Sequence, residues 1–265
     1  MLISVGLGLV IGVILALTGA GGGILAVPLL VFGLQQSVAQ AGPIGLLAVG
    51  MAAALGAMLG LRAGIVRYRA AILISVTGMI ASPLGLWLAS RINNLWLTIL
   101  FSLVLLFVAY RTFTQAGQIS SDHVADNAEV LPCVRNDDGR FFWTKRCARA
   151  LGLSGATAGM LSGMLGVGGG FVLVPALRRY TDLEMQSVVA TSLMVITLVS
   201  ASGVAASIAT GNMNWSIAAP FSAGALAGMV GGRLISDRLA GAHLQRGFAI
   251  LSTLIAIAMI AKVFL

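Results

Sequence analysis

A twelve-residue stretch occurs twice in this chain, and the duplication constrains the fold more than any other feature. The first copy, GAGGGILAVPLL, spans 19–30, and the second, GVGGGFVLVPAL, spans 166–177, with seven of twelve positions identical. The same shift of 147 residues (166 − 19) aligns Gly64 with Gly211. The chain is therefore one unit written twice.

Composition places both units in a membrane. Of the 265 residues, 58% are hydrophobic and 9% are charged, and several apolar runs reach the roughly 18 residues that cross a bilayer. The formal charge of +8 resides in short loops between these runs, where it favours anionic lipid headgroups and not nucleic acid. We predict an all-α polytopic membrane protein, with the lipid bilayer as its surroundings.

The one long polar stretch divides the units. We predict a first repeat at 1–113, a linker at 114–146 and a second repeat at 147–265. Cys133 and Cys147 lie in or beside the linker, and a disulfide between them is one possibility. Two reduced thiols are favoured if the linker is cytoplasmic.

Each unit begins with a glycine-broken apolar segment. As one straight helix, residues 1–34 would be about 51 Å long, against roughly 30 Å of hydrocarbon. A hairpin that turns at Gly19–Gly23 uses this length, provided that protein or a water-filled cavity covers the turn. Three ordinary spans are predicted after each hairpin, at 38–61, 70–89, 95–110, 188–210, 215–236 and 244–264.

The basic residues favour hairpins over eight single crossings. Single crossings would divide the 16 Lys and Arg about ten to six between the two sides. With hairpins, one side, here called the arginine-rich side, holds fourteen, as the positive-inside rule expects. These are Arg62, Arg67, Arg69, Arg111, Arg135, Arg140, Lys145, Arg146, Arg149, Arg178, Arg179, Arg233, Arg238 and Arg246. The linker is then cytoplasmic. Three crossings per unit make the two repeats inverted.

Inverted repeats with broken helices are typical of transporters, whose half-helix ends build a substrate site at the midplane. A helix that begins at Gly21–Gly23 or Gly168–Gly170 has N–H groups without intrahelical partners, and its dipole favours an anion. Pro28 and Pro175 add irregularity to the returning helices. The candidate substrate-binding residues are Gly19, Gly21, Gly22, Gly23, Pro28, Gly166, Gly168, Gly169, Gly170, Pro175, Thr191 and Ser192.

Glycine also serves helix packing. Small residues at four-residue spacing let helices approach closely, and we assign this role to Gly8, Gly12, Gly56, Gly60, Gly155, Gly159, Gly163, Gly224, Gly228 and Gly232. Hydroxyls near the turns, on Thr18, Ser162, Thr191 and Ser192, can instead bond to their own helices.

The sequence contains no pattern typical of a catalytic site or a metal site. No carboxylate lies within an apolar span, and no His, Cys or carboxylate cluster has metal spacing. His123 falls in the linker and His243 near a span end. We predict neither a cofactor, a metal site nor a catalytic residue.

The doubled GxGGG followed by Val27-Pro28 and Val174-Pro175 resembles the TauE/SafE sulfite-exporter family of bacterial membrane proteins, over both units. The stretch QSVVATSL from Gln186 also resembles the family pattern. Its first-unit match, QSVAQAGPI from Gln36, places Gly42 and Pro43 where Ser192 and Leu193 stand.

The resemblance implies transport of sulfite, an organosulfonate or another small sulfur-containing anion, and direction varies within the family. We therefore expect a small-anion exporter that works by alternating access. The alternative is a membrane assembly or sensor protein in which the glycine turns serve packing alone. The oligomeric state stays open, with a homodimer among the possibilities.

Overall fold

The fold is given by a computed structural model that describes residues 2–118, 133, 144–211, 213–239 and 242–264. Most of the predicted linker, including His123, lies outside the described residues. Within them the chain is helical, with a 3-10 helix at Gly19–Leu25 and α-helices α1 Leu2–Thr18, α2 Ala26–Gly33, α3 Val38–Arg62, α4 Tyr68–Arg91, α5 Asn94–Gln118, α6 Lys145–Leu165, α7 Gly170–Tyr180, α8 Met185–Ala209, α9 Trp215–Leu239 and α10 Ala242–Phe264.

Helix boundaries repeat with the shift seen in the sequence. Helices α3 and α8 begin and end 147 residues apart (185 − 38 and 209 − 62), after the N-cap residues Ser37 and Glu184. This register corrects the sequence alignment of the QSV stretches, which carries a shift of 150 residues (186 − 36). Gly45, and not Gly42, is therefore the counterpart of Ser192.

The helices present apolar surface outward, as lipid contact requires. On α4 the exposed side chains include Ile72, Val76, Ile80 and Leu84, four residues apart along one stripe. Four segments of the described chain are long and apolar enough to cross a membrane, namely α3, α4, Asn94–Phe113 of α5 and α8. The predicted all-α membrane fold is confirmed at this level.

Glycines make the closest helix contacts. Helix α1 packs on α9, and α4 packs on α6. A Cβ placed on Gly228 would overlap the carbonyl oxygen of Leu9, and one on Gly163 would overlap that of Ser82. All ten glycines assigned to packing face a neighbouring helix in this way or at side-chain distance, which confirms that prediction.

The order of these contacts gives the relative directions of the helices. Along α3 and α8 the order is reversed, because Gly60 faces Ala190, whereas Gly50 faces Ser200. Along α1 and α9 it is the same, because Gly8 faces Phe221 and Gly12 faces Ala225. Helices α3 and α8 are therefore antiparallel where they touch, and α1 and α9 are parallel.

The two cysteines form a disulfide, which is the possibility that the sequence left open beside two reduced thiols. The Thr144 hydroxyl accepts a hydrogen bond from the Cys147 N–H at 3.1 Å and caps α6. This cap fixes Cys147 in the first turn, with its Cα 5.0 Å from that of Cys133, a separation that suits a disulfide. The N–H of Cys133 donates to the Tyr180 carbonyl at 3.2 Å. Because Cys147 lies on α6 and Tyr180 ends α7, the disulfide connects these two helices through Cys133.

Candidate functional site

The two copies of the motif form different turns. In the second glycine turn, Gly166–Gly170, Gly166, Gly168 and Gly169 have φ values of 71°, 77° and 69°. This left-handed region favours glycine because a Cβ is strained there. It ends α6 and starts α7 at Gly170, after the N-cap Gly169.

The first glycine turn, Gly19–Gly23, continues from α1 as a 3-10 helix with no left-handed residue among those described. The α-helical part of the returning segment, α2, begins at Ala26, and the 3-10 helix leads directly into it, so this segment is helical before Pro28. N–H groups of a 3-10 helix bond to carbonyls three residues earlier. The N–H of Ala26 likewise donates to the Gly23 carbonyl. This turn therefore does not present the free donors expected from the sequence.

The second glycine turn does present such donors. The N–H groups of Val172 and Leu173 both donate to the Gly169 carbonyl, at 3.1 and 3.2 Å. The N–H groups of residues 167–171 donate no hydrogen bond to another described residue, and all five residues are buried. Unpaired buried N–H groups are costly, and at the positive end of α7 they suit an anion.

The fold brings the two turns together, as the inverted-hairpin interpretation requires. A Cβ placed on Gly23 would lie 3.0 Å from the Val167 carbonyl oxygen and 2.9 Å from a Val49 methyl group. The same Val49 methyl group lies 3.1 Å from the corresponding position on Gly168. Ile196 is the counterpart of Val49 (196 − 147), and one of its methyl groups lies 3.0 Å from a Cβ placed on Gly168. Both turns thus meet beside the middle of α3 and α8.

Ser200 is a polar residue of this site that sequence reasoning missed. Its side chain is 1% exposed, its Oγ has no hydrogen-bond partner among the described residues, and this oxygen is 3.5 Å from a Cβ placed on Gly168. A residue on α8 cannot be linked to the turn by local sequence. The one available signal was a difference between the two copies of the repeat. The counterpart of Ser200 is Ala53 (200 − 147), so this hydroxyl occurs in the second unit only.

The predicted hydroxyls have different roles. The Thr191 Oγ1 accepts a hydrogen bond from the Arg67 N–H at 3.1 Å, and Thr18 donates to the Ile14 carbonyl of its own helix at 2.7 Å. Ser162 and Ser192 are buried and their Oγ atoms have no partner among the described residues. Thr191 therefore has a structural partner, whereas Ser162 and Ser192 keep an unused hydroxyl.

The two prolines lie inside the returning helices. Pro28 is the third residue of α2, which continues from the 3-10 helix, so its missing N–H leaves the preceding turn without one backbone donor. Pro175 is the sixth residue of α7, so it removes the N–H that would bond to the Phe171 carbonyl. Each returning helix therefore lacks one backbone hydrogen bond at its proline.

Metal ligands are not grouped at the turns. No cluster of three or more His, Cys, Asp or Glu occurs among the described residues. Asp182 and Glu184 lie between α7 and α8, outside the predicted spans. The site is consequently made of backbone N–H groups, hydroxyls and apolar walls.

A repeated bundle of apolar helices with an anion-compatible helix break defines a polytopic membrane protein of the transporter class. The family model described as "Sulfite exporter TauE/SafE" matches residues 4–259, and the chain belongs to that family. Its predicted resemblance to this family is thereby confirmed.

Curated relatives agree with this assignment. A "Probable membrane transporter protein" of Xylella fastidiosa is 28% identical over 270 residues, which cover 98% of this chain and 95% of that protein. The "Probable membrane transporter protein YunE" of Bacillus subtilis is 26% identical over 223 residues, 80% of each chain. No solved structure matches this chain significantly. The protein is a multi-pass bacterial membrane transporter and not an enzyme.

Proposed function

We propose that this transporter exports sulfite or a small organosulfonate, and that the second glycine turn binds the anion. The observation that carries the proposal is the set of buried, unpaired N–H groups at residues 167–171, at the start of α7. Such donors stabilise a sulfur oxyanion without a buried lysine or arginine. Ser200 adds one hydroxyl at 3.5 Å from the Cβ position of Gly168.

The first glycine turn has another role in this proposal. Its N–H groups are used within the 3-10 helix, so it contributes a wall and not donors. Gly23 lies against the Val167 carbonyl, and a larger residue there would push on the binding turn. The twelve-residue duplication thus yields one binding turn and one supporting turn.

Inverted repeats are supported by the helix directions. Helix α1 is parallel to α9, α9 follows α8 through the short loop 210–214, and α8 is antiparallel to α3. If the short loop reverses the chain, α1 and α3 run in the same direction, and the segment between them doubles back as a hairpin. Inversion suits alternating access, in which a central site opens to one side at a time.

Two observations favour opposite sides for the linker. Fourteen of sixteen basic residues lie on its side, which favours the cytoplasm. The Cys133–Cys147 disulfide favours an oxidising compartment instead. We propose the cytoplasmic placement. The positive-inside rule draws on fourteen residues here, whereas a single pair of cysteines can be reduced without any change in the membrane topology.

Flux of labelled sulfite into proteoliposomes that contain the purified full chain tests the proposal. We expect protein-dependent, saturable uptake that a sulfonate such as taurine or sulfoacetate competes with, and no uptake by empty liposomes. A folded preparation that moves none of these anions would contradict the proposal and favour the assembly or sensor alternative.

A further inference from the structure

A groove beside the second glycine turn lies between α5, α6 and α7 and shares Phe171 with that site. Its volume is about 420 Å³. Leu103 and Phe107 of α5, Leu161 of α6 and Phe171 of α7 line its apolar part. Leu103 and Phe107 are 57% and 61% exposed, so the groove is open toward the surface that faces lipid.

Two hydroxyls of the groove wall are bonded within their own helix. The Ser154 hydroxyl donates to the Ala150 carbonyl at 2.7 Å, and the Thr157 hydroxyl donates to the Leu153 carbonyl at 2.9 Å. Because both bonds stay within α6, this part of the wall is mainly an apolar surface.

One end of the groove carries positive charge. Arg111, near the end of α5, and Arg179, near the end of α7, both line it. A guanidinium binds a phosphate through paired, charge-assisted hydrogen bonds. An apolar trough that ends in two arginines complements a ligand with an anionic head and an apolar tail.

The repeat provides an internal comparison. The wall residues Leu103 and Phe107 correspond to Ile250 and Leu254, so the apolar character is kept in both units. The arginines are not kept, because Arg111 corresponds to Ala258 (111 + 147) and Arg179 to Phe32 (179 − 147). The two arginines of this groove therefore have no basic counterpart in the other copy of the repeat.

We propose that this groove binds one acidic phospholipid, with the phosphate at Arg111 and Arg179 and an acyl chain along α5 and α7. Basic pockets between membrane helices on the cytoplasmic side are suited to anionic lipid headgroups. The inference does not depend on which anion is transported, since the groove arginines are separate from the N–H groups proposed to bind that anion, although Phe171 belongs to both sites.

Native mass spectrometry and thermal melting of the detergent-purified full chain, titrated with phosphatidylglycerol or phosphatidylcholine, test the proposal. We expect phosphatidylglycerol to bind at least tenfold more tightly than phosphatidylcholine. Arg179→Gln should weaken phosphatidylglycerol binding at least tenfold. Arg69→Gln is the matched control, because Arg69 is an exposed arginine on the same side but lies outside the groove.

A second variant leaves every charge in place. Ala176 lines the groove, and Ala176→Phe fills it. Phosphatidylglycerol binding should therefore fall, while the oligomeric state of the purified protein should stay the same. Four results would each overturn the proposal: equal binding of the two lipids, an equal loss in Arg69→Gln, retained binding in Ala176→Phe, or glycerol phosphate binding as tightly as the lipid. A groove variant that converts a dimer to a monomer would show instead that a second copy of the chain covers this face.

Discussion

The backbone N–H of Arg67 donates a 3.1 Å hydrogen bond to the side-chain oxygen of Thr191. Arg67 is the N-cap residue of α4, and Thr191 is a fully buried residue of α8. The bond therefore fixes the start of a helix in the first repeat to a helix in the second. Sequence reasoning placed Thr191 among substrate ligands, and the structure gives its oxygen a backbone hydrogen bond as well.

Thr191→Val should destabilise the fold without changing anion affinity. The substitution keeps the shape but removes the acceptor and leaves the Arg67 N–H unpaired, at a cost of about 1 to 3 kcal/mol. Thermal unfolding in detergent measures this loss, and Thr191→Ser, which keeps an oxygen, should recover most of it. Unchanged stability together with lost anion binding would return Thr191 to the substrate site.

Ser200→Ala should have the opposite effect. The Ser200 Oγ is buried without a partner among the described residues, so its removal should leave stability unchanged or slightly improved. If this hydroxyl contacts the anion, affinity for sulfite should fall roughly tenfold, the equivalent of about 1.4 kcal/mol.

Ser252→Ala is the matched control for Ser200→Ala. Ser252 is also fully buried with an unpaired Oγ, but it lies on α10, which packs mainly against α5. Its loss should not change sulfite affinity, which isothermal calorimetry or competition with a labelled anion can measure. Equal affinities for the parent and Ser200→Ala would remove Ser200 from the site.

Alanine at Gly169 should be more damaging than alanine at Gly64. Both glycines are left-handed, with φ values of 69° and 70°, so both substitutions carry the same backbone strain of about 1 to 2 kcal/mol. A Cβ on Gly169 would also lie 2.7 Å from the Ala158 carbonyl oxygen, whereas nothing lies within 4 Å of one on Gly64. Folded yield, measured by fluorescence-detected gel filtration, should therefore be lower for Gly169→Ala. Equal yields would indicate that the second turn can shift away from α6.

Introduced cysteines should report the side of the membrane. Cys133 is buried and bonded, so it would not react on either side, and both native cysteines should be replaced by alanine. Ala63 and Asn214 are exposed residues of short loops at opposite ends of the bundle. In intact cells a membrane-impermeant maleimide should label Asn214→Cys, and Ala63→Cys should react only after permeabilisation. The reverse pattern would place the linker outside and make the disulfide the better guide to topology.

Voltage alone should drive export. No carboxylate of the described chain lies in the middle of a predicted span, so the protein offers no evident proton or sodium relay. A potential of 100 mV supplies roughly 2.3 kcal/mol per charge, or a gradient of about fifty-fold. Flux in proteoliposomes should follow a potassium–valinomycin potential at equal pH and sodium. No response to voltage, with strict dependence on a sodium gradient, would contradict this.

The repeat and the helices could be predicted because their signals are local and periodic. Long apolar runs gave α3 and α8 to within a few residues, and glycines at four-residue spacing predicted a packing role for Gly228, which contacts α1. These features depend on the composition of short windows and on the hydrophobic thickness of a bilayer, which every membrane protein shares.

The difference between the two turns could not be predicted, since nearly the same residues form both. Their neighbours differ, because Gly22 lies against Leu15 of its own hairpin, whereas Gly166 lies against Gly42 of the other repeat. Ser200 was missed because its proximity to the second turn is a tertiary contact. A local pattern identified where the chain breaks, but only tertiary contacts determine which break leaves its N–H groups unpaired.

The packing of α1 on α9 and of α4 on α6 means that each half of the chain supplies what the other half lacks. Nearly the whole protein must be synthesised and inserted before α9 can pack against α1. The glycine-lined face of α1 therefore contacts lipid during most of synthesis. Two separately expressed halves should assemble only with each other. A single ancestral unit could have satisfied both contacts only as a pair of copies inserted in opposite orientations.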